Sequence, residues 1–230
     1  MTNTAIITGG SLGLGRALTE QLTRDGWHVV IDGRRPDALA EAAATTGATA
    51  VPGDVADPVH RRDLVEAARS TSGRLDLLVN NASTLGASPL PRLREIALEV
   101  VEHVYRVNAI APLALIQEAL PLLVGSGGAV LNVTSDAAVE AYAGWGGYGS
   151  SKAALEQLSN VLAVEEPQLT VWWVDPGDMR TQMHQDAFPG EDISDRPHPE
   201  VVVPALTALL RRRPPSGRVR AADLLAGARP

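Results

Sequence analysis

The fold of this chain is best indicated by one stretch, Thr4-Ala5-Ile6-Ile7-Thr8-Gly9-Gly10-Ser11-Leu12-Gly13-Leu14-Gly15-Arg16. It joins a short apolar run to a set of closely spaced glycines and then to a helix-forming segment. Glycine permits a tight turn and a close approach of the backbone to a phosphate, and a helix N-terminus offers free N–H groups to an anion. No Lys-Ser or Lys-Thr pair follows, as a mononucleotide P-loop would require. The stretch therefore predicts a strand, a phosphate-binding turn and a helix.

Short apolar runs recur along the rest of the chain and alternate with segments of helical pattern. They are continuous rather than alternating in polarity, which is typical of parallel strands buried on both faces. The pattern predicts one α/β domain over residues 1–230, a Rossmann-type doubly wound parallel sheet of about seven strands flanked by helices on both faces. The strand candidates are Ala5–Ile7, Val29–Ile31, Leu77–Val79, Ala129–Leu131 and Val171–Val174, with a weaker one at Ala48–Val51.

Several local patterns mark helices and loops. Asp57-Pro58 predicts a capped helix start, and Leu155, Leu158 and Leu162 form one apolar helical stripe. The run Arg211–Arg213 predicts a positively charged helix C-terminus. The segment 189–199, rich in Pro, Asp and Gly, predicts a mobile loop.

The composition excludes several classes of protein. The 230 residues carry a net charge of −7 and no cysteine, so disulfides and cysteine-ligated zinc are excluded. The five histidines show no metal-ligand spacing, and we expect no metal. Without a basic stripe, a nucleic-acid partner is not expected. We find no signal-peptide pattern and no apolar run near the roughly 20 residues that span a bilayer, and we expect a cytoplasmic protein that does not enter membranes.

The end of the second predicted strand bears on which dinucleotide would bind. It reads Asp32-Gly33-Arg34-Arg35, and in a dinucleotide fold this point lies beside the adenosine ribose. An acid there accepts from the ribose 2′-hydroxyl, whereas an arginine pairs with a 2′-phosphate. The two arginines favour NADP(H), and Asp32 leaves NAD(H) open as the alternative.

A tyrosine and a lysine are the strongest catalytic candidates. Lys152 is the only lysine in the chain and follows Tyr148 by four residues, so the two share one face of a helix. A nearby ammonium favours the ionised phenol and is expected to lower the tyrosine pKa toward the range useful for acid–base catalysis. Ser135 follows a predicted strand and is placed to hold a substrate oxygen at the same edge of the sheet.

Together these residues resemble the short-chain dehydrogenase/reductase family in its compact, single-domain form, over nearly the whole chain. Family-like motifs are Thr8-Gly9-x-x-x-Gly13-x-Gly15, Asp54-Val55, Asn80-Asn81-Ala82, Asn108, Ser135, Tyr148-x-x-x-Lys152 and Pro176-Gly177-x-x-x-Thr181. The resemblance implies catalysis by Asn108, Ser135, Tyr148 and Lys152. It implies cofactor contacts from Gly9, Ser11, Leu12, Gly13, Leu14, Gly15, Arg34, Arg35, Asp54, Val55, Asn81, Ala82, Ser83, Tyr148, Lys152, Pro176, Gly177, Met179 and Thr181.

The resemblance also implies a reaction. Tyr148 exchanges a proton with the substrate oxygen, Ser135 hydrogen-bonds that oxygen, Lys152 holds the nicotinamide ribose, and Asn108 positions a water. Relatives pair as homodimers or homotetramers through the helix before strand five and the helix that carries the tyrosine. In the family alignment the position of the usual NAD-selecting acid is Gly33, which puts Asp32 one residue too early and leaves the NADP(H) prediction on Arg34.

Three departures from the family pattern stand near the site. Ser83 replaces a glycine, Asp136 follows Ser135 directly, and Leu12 replaces a basic residue. The short stretch after Pro176 predicts a reduced substrate lid. Residues expected to line the substrate pocket by position are Asp136, Trp145, Met179, Met183 and His184, and Trp145 could equally pack in the core.

Two other functions remain open from the sequence. One is an NADP(H)-sensing regulator on the same fold, which would not need the Ser-Tyr-Lys-Asn set. The other is a sugar epimerase or dehydratase, whose glycine spacing and length usually differ. The substrate of the favoured function, a carbonyl/alcohol oxidoreductase acting on a small molecule, is not specified.

Overall fold

A computed structural model describes residues 2–226 of the chain. Seven strands among these residues form one parallel sheet in the order β3-β2-β1-β4-β5-β6-β7. The chain builds outward from β1 in one direction, returns, and builds outward from β4 in the other, so a crevice opens at the carboxyl edge between these two strands. The strands are β1 (Thr4–Ile7), β2 (His28–Gly33), β3 (Thr49–Pro52), β4 (Leu77–Asn80), β5 (Ala129–Val133), β6 (Thr170–Asp175) and β7 (Gly217–Arg220).

Helices cover both faces of the sheet because successive strand residues point to opposite sides. Ala5 and Ile7 pack into an apolar cluster with α1, α2, α8 and α9. Ile6 packs into a second cluster with α3 and α5 on the other face. The helices are α1 (Gly13–Arg24), α2 (Pro36–Thr46), α3 (Pro58–Ser72), α4 (Leu98–Tyr105), α5 (Ala111–Ser126), α6 (Gly146–Glu165), α7 (Gln182–Ala187), α8 (Val203–Arg212) and α9 (Ala221–Ala226).

The structure confirms the predicted fold class and all six strand candidates. The seventh strand, β7, was not located from the sequence. Its four residues, Gly-Arg-Val-Arg, lie at the sheet edge and are half-buried or exposed, so they lack the apolar run that marks the central strands.

The local patterns are also found. Asp57 caps α3 by accepting from the backbone N–H of Val59 at 2.8 Å, and α8 ends within the arginine run. Arg213 leaves the helix in a left-handed conformation (φ 43°) and donates to the carbonyl of Gly127 at 2.8 Å. Residues 189–199 are irregular up to a short 3₁₀ turn, Pro199–Val201.

The long helix Leu98–Ser126 corrects the expectation about apolar length. It joins α4, a π turn (Arg106–Ile110) and α5 into 29 residues, long and apolar enough by length and composition to cross a membrane. The fold buries 56% of its most apolar window, and α5 packs against α3 and the sheet. A core helix of a water-exposed domain has the same composition, so this feature alone does not indicate a membrane span.

Candidate active site

A cavity of about 670 Å³ opens at the carboxyl edge of the sheet. The chain segments that follow β1, β2, β4, β5 and β6 all contribute to its wall, because parallel strands end at the same edge. Its position at the reversal of strand order is where open α/β sheets bind ligands.

The turn after β1 is shaped by its glycines. Gly9 has φ +65°, and a Cβ on Gly15 would lie 2.3 Å from the carbonyl oxygen of Gly9, so only glycine lets the helix start this close to the strand. The hydroxyl of Thr8 accepts from the backbone N–H groups of Asn81 and Ala82, each at 3.0 Å. These bonds fix the loops after β1 and β4 as one rim of the cavity.

At the far end of the cavity, the acid and the arginines point in different directions. Asp32 is buried; its Oδ1 accepts from the N–H of Gly9 at 2.6 Å, and its Oδ2 lies 3.0 Å from Nε2 of His60. Arg34 and Arg35 line the cavity and are exposed. Because both oxygens of Asp32 already have partners, the cations dominate this end.

Tyr148 and Lys152 lie together on α6, as their spacing predicts. Both are almost fully buried and line the cavity. The Nζ atom of Lys152 lies 5.6 Å from the centre of the Tyr148 ring and donates to the carbonyl of Val133 at 2.8 Å. A Cβ on Gly149 would lie 2.4 Å from the carbonyl of Ala137, so a glycine here lets α6 approach the loop after β5.

Burial controls the ionisation of this pair. Desolvation raises the pKa of Tyr148, and hydrogen bonds with Ser83 and Ser135 act in the opposite direction. Desolvation also lowers the pKa of Lys152 to about 7. For the protein alone the pKa of Tyr148 moves in the direction opposite to the one expected from the sequence, because loss of solvent is the largest effect on it.

Ser135 and Ser83 complete the group around the phenol. The Ser135 hydroxyl donates to Oδ1 of Asp136 at 2.9 Å and caps a short turn, Asp136–Ala138. The Ser83 hydroxyl donates to Oδ1 of Asn108 at 3.1 Å. The serine that replaces the family glycine therefore links the phenol to Asn108.

Asn108 lies behind the cavity wall rather than in it. It is fully buried in the π turn, accepts from the N–H of Thr84 at 2.9 Å and donates to the hydroxyl of Ser151 at 3.0 Å. A π turn offsets a helix by one residue and is frequent at functional sites. Here it brings the Asn108 side chain between the loop after β4 and α6, where it positions both.

The outer part of the cavity is aromatic. Trp145 packs edge-on against Tyr148 with ring centres 5.6 Å apart, and Phe188 lies 6.0 Å from Trp145 and 4.9 Å from His184. The indole thus belongs both to the pocket and to a small apolar cluster around Tyr148. Four of the six residues of α7 line this side of the cavity: Gln182, Met183, His184 and Asp186.

A charged network behind Ser135 was not anticipated. Arg218 on β7 donates to Glu156 on α6 at 3.0 Å, to the carbonyl of Ser135 at 3.3 Å, and lies 3.5 Å from Asp175. Glu156 also accepts from Thr134 at 2.8 Å. No sequence pattern marked Arg218, because its strand is short, polar and separated from the site by one strand of the sheet.

Almost every predicted site residue reaches this one cavity. Asn108 and Gly15 do not line it, and both act by shaping its wall. The wall also contains residues that the sequence analysis did not single out: Gly53, Leu85, Val107, Val133, Thr134, Ala137, Tyr142, Asp175, Asp178, Gln182, Asp186 and Phe188.

A glycine turn at the point where strand order reverses, together with a buried Tyr-Lys pair beside a serine, defines the class of doubly wound, dinucleotide-binding oxidoreductases. The family model described as short chain dehydrogenase matches residues 3–192. The chain belongs to the short-chain dehydrogenase/reductase family, whose members use nicotinamide cofactors.

Individual relatives agree with this assignment. The chain is 34% identical over 198 residues to an uncharacterized oxidoreductase of Methylorubrum extorquens, covering 82% of this chain and 78% of the relative. A putative short chain dehydrogenase from Pseudomonas syringae superimposes with a TM-score of 0.89 at 28% identity, covering 95% and 94% of the two chains. One from Shigella flexneri 2a, solved in complex with NADP, gives 0.88 at 29% identity, covering 96% and 97%.

Proposed function

We propose that the chain is an NADP(H)-dependent oxidoreductase that interconverts a carbonyl compound and a secondary alcohol, with Tyr148 as the acid and base. The single observation that carries this proposal is the buried phenol of Tyr148, which lies in the cavity wall with Ser135 and has the only lysine beneath its ring. A protein that merely senses a dinucleotide needs no such arrangement.

The residues present fit a bound NADP(H). The glycine turn of Gly9 and Gly13 and the N-terminus of α1 would hold the pyrophosphate, and Thr181 lies against Gly13 from the opposite side, 3.4 Å from a Cβ placed there. Arg34 would pair with the 2′-phosphate, since Asp32 is engaged elsewhere. The NADP complex of the Shigella flexneri relative supports the same choice.

When bound, the nicotinamide supplies or accepts the hydride. In the reductive direction Tyr148 donates its proton to the substrate oxygen, and the Ser135 hydroxyl turns from Asp136 to donate a hydrogen bond to that oxygen. A phenol with a raised pKa is protonated at neutral pH, so it is ready to act as this acid. Lys152 lies beneath the phenol and would hold the ribose, and Asn108 supports the loop that carries Ser83.

The test is a titration with NADPH and, separately, NADH, followed by a carbonyl screen with the better ligand. We expect tighter NADPH binding and turnover of at least one carbonyl. Tyr148→Phe should lower kcat by about a thousandfold and change the Kd for NADPH less than about twofold. Retained turnover would refute the role of Tyr148, and NADPH binding without any turnover would favour the sensing regulator instead.

We also propose that the protein acts in the cytoplasm on a small molecule, without nucleic acid or membrane partners, as a homodimer or homotetramer. Apolar side chains on the outer surfaces of α5 and α6 support pairing through these helices: Val124, Val161 and Val164 are exposed, the last by 77%. Light scattering during gel filtration tests the oligomeric state, and Val164→Glu should shift the measured mass toward that of one chain.

A further inference from the structure

The substrate end of the cavity contains a carboxylate without a counter-ion. Oδ1 of Asp136 accepts from the Ser135 hydroxyl at 2.9 Å and from the N–H of Ala137 at 2.8 Å, and Oδ2 accepts from the Tyr142 hydroxyl at 3.0 Å. Within residues 2–226, Asp136 forms no ion pair with a lysine, arginine or histidine, whereas Asp175 on the same wall is paired with Arg218.

This carboxylate acts on the reacting group. Burial is the main cause of the raised pKa of Tyr148, and the charges of Asp136 and Asp175 raise it further. The pKa of Tyr142 is raised first by its hydrogen bond with Glu140 and then by that with Asp136. During reduction negative charge develops on the substrate oxygen, which Ser135 and Tyr148 contact. An uncompensated carboxylate beside Ser135 would oppose that charge, so a neutral ketone gains nothing from Asp136.

A second group in the same cavity lacks a partner. The side chain of His184 is only 10% exposed, and its Nε2 is buried without a hydrogen bond. Nδ1 lies 3.8 Å from Asp178, which favours the proton on that nitrogen and leaves Nε2 as an acceptor. Buried polar atoms in folded proteins nearly always have a hydrogen-bond partner. For Nε2 of His184 the missing partner is a hydrogen-bond donor.

The remaining wall suits a cation as well. Asp186 and the rings of Trp145 and Phe188 line the outer part of the cavity, whereas Asp178 on the same wall is already paired with Arg196 at 3.4 Å. Aromatic faces attract ammonium groups. At this end of the cavity the chain therefore offers carboxylates, an imidazole acceptor and ring faces, and its only lysine is buried beneath Tyr148.

Resting on the proposed function, we infer that the substrate carries a protonated amine on the carbon next to the carbinol, so that Asp136 binds the ammonium while Ser135 and Tyr148 hold the oxygen. The substrate class is an amino alcohol and its amino ketone. The ammonium supplies the positive charge that Asp136 lacks within residues 2–226.

Three alcohols of nearly equal shape test the inference: 2-amino-1-phenylethanol, 1-phenyl-1,2-ethanediol and 1-phenyl-1-propanol. Their Kd values are measured calorimetrically on the chain with and without NADPH, and their kcat/KM values with NADP⁺. We expect the amine to be preferred over both neutral alcohols by about tenfold, the lower end of the scale of one hydrogen bond to a charged group. Equal or weaker binding of the amine would overturn the inference.

Two variants assign the preference to Asp136. Asp136→Asn keeps an oxygen for Ser135 and Ala137 but removes the charge, and it should bring the amine to diol ratio close to one. The matched control is Glu140→Gln. Glu140 is joined to Asp136 through two hydrogen bonds of the Tyr142 hydroxyl and lies outside the cavity wall, so loss of its charge should leave the amine to diol ratio unchanged. A ratio unchanged in Asp136→Asn would also overturn the inference.

The outcomes separate this inference from the proposed function. Turnover of the neutral alcohols without a preference for the amine leaves the oxidoreductase standing and removes the amino-alcohol class. Absence of NADPH binding removes the oxidoreductase, while the three Kd values measured without NADPH still decide whether the pocket selects an ammonium.

Discussion

The carboxylate of Asp32 accepts a hydrogen bond from the backbone N–H of Gly9 at 2.6 Å, which ties the end of β2 to the glycine turn after β1. With His60 on its other oxygen, this acid is a structural part of the turn. The bond defines the orientation of the Asp32 side chain, which the sequence Asp32-Gly33-Arg34-Arg35 alone left open.

We predict that Asp32→Ala will lower stability without changing cofactor preference. The variant leaves the N–H of Gly9 and the ring of His60 without their buried acceptor, which costs about 2 kcal/mol in the free energy of unfolding. Urea unfolding measures that loss, and fluorescence titration should give the same ratio of NADPH to NADH affinity within about twofold. A tenfold rise in NADPH preference would show that Asp32 does face the 2′-phosphate.

Arg34→Ala should weaken NADPH binding by about tenfold and NADH binding by less than twofold, because only NADPH has a 2′-phosphate for the guanidinium to bind. The exposed Arg62 on α3 lies away from the cavity, so Arg62→Ala serves as the matched control for loss of one positive charge. Equal loss for both cofactors in Arg34→Ala would assign this arginine to a shared part of the dinucleotide.

The buried ammonium of Lys152 should make stability depend on pH. Its pKa falls from 10.5 to about 7 on folding, so between these values the unfolded chain binds a proton that the folded chain does not. The cost of burial is complete below pH 7 and disappears as the pH rises toward 10.5.

Replacement of this lysine exposes that dependence. Lys152→Met should be more stable than the parent at pH 6, and the difference should shrink by roughly 1 kcal/mol per pH unit above pH 7. Chemical unfolding of both proteins at pH 6, 8 and 9 measures the difference. A gap that stays constant over this range would mean that folding leaves the lysine pKa unchanged.

Arg218→Met should damage both stability and activity. It leaves Asp175 and Glu156, whose side chains are 7% and 12% exposed, without their cation. Removing one member of a buried ion pair costs about 3 kcal/mol, and the loop of Ser135 loses a donor to its carbonyl. Arg220→Met, at an exposed position on the same strand, should change the free energy of unfolding by less than about 0.5 kcal/mol.

The sequence predicted those parts of the molecule that depend on local pattern. Continuous apolar runs located the five central strands and a weaker run located the edge strand β3, and the four-residue spacing of Tyr148 and Lys152 placed both on one helical face. Strand β7 escaped prediction since an edge strand needs few apolar residues, and its pairing with β6 is decided by contacts far apart in the chain.

Three features of the site depend on how side chains are oriented and buried in the folded chain, and not only on their place in the sequence. The sequence could place Asp32 at the end of β2 but not show that its oxygens turn toward Gly9 and His60. Similarly, Asn108 falls behind the wall because a π turn shifts the helix by one residue, and the extra residue has no sequence signature. The pKa of Tyr148 rises because burial, a property of the whole fold, is the largest effect on it.

The single lysine provides a natural site for chemical labelling that can measure local opening of this chain. Lys152 is the only side-chain amine and is 2% exposed in the cavity wall, so an amine-reactive reagent reaches it only when this part of the protein opens. Peptide mass spectrometry of labelled Lys152 would then record the rate at which this part of the protein opens, without an introduced probe. Ligands that fill the cavity should slow that labelling, which makes a screen for substrates possible before any reaction is known.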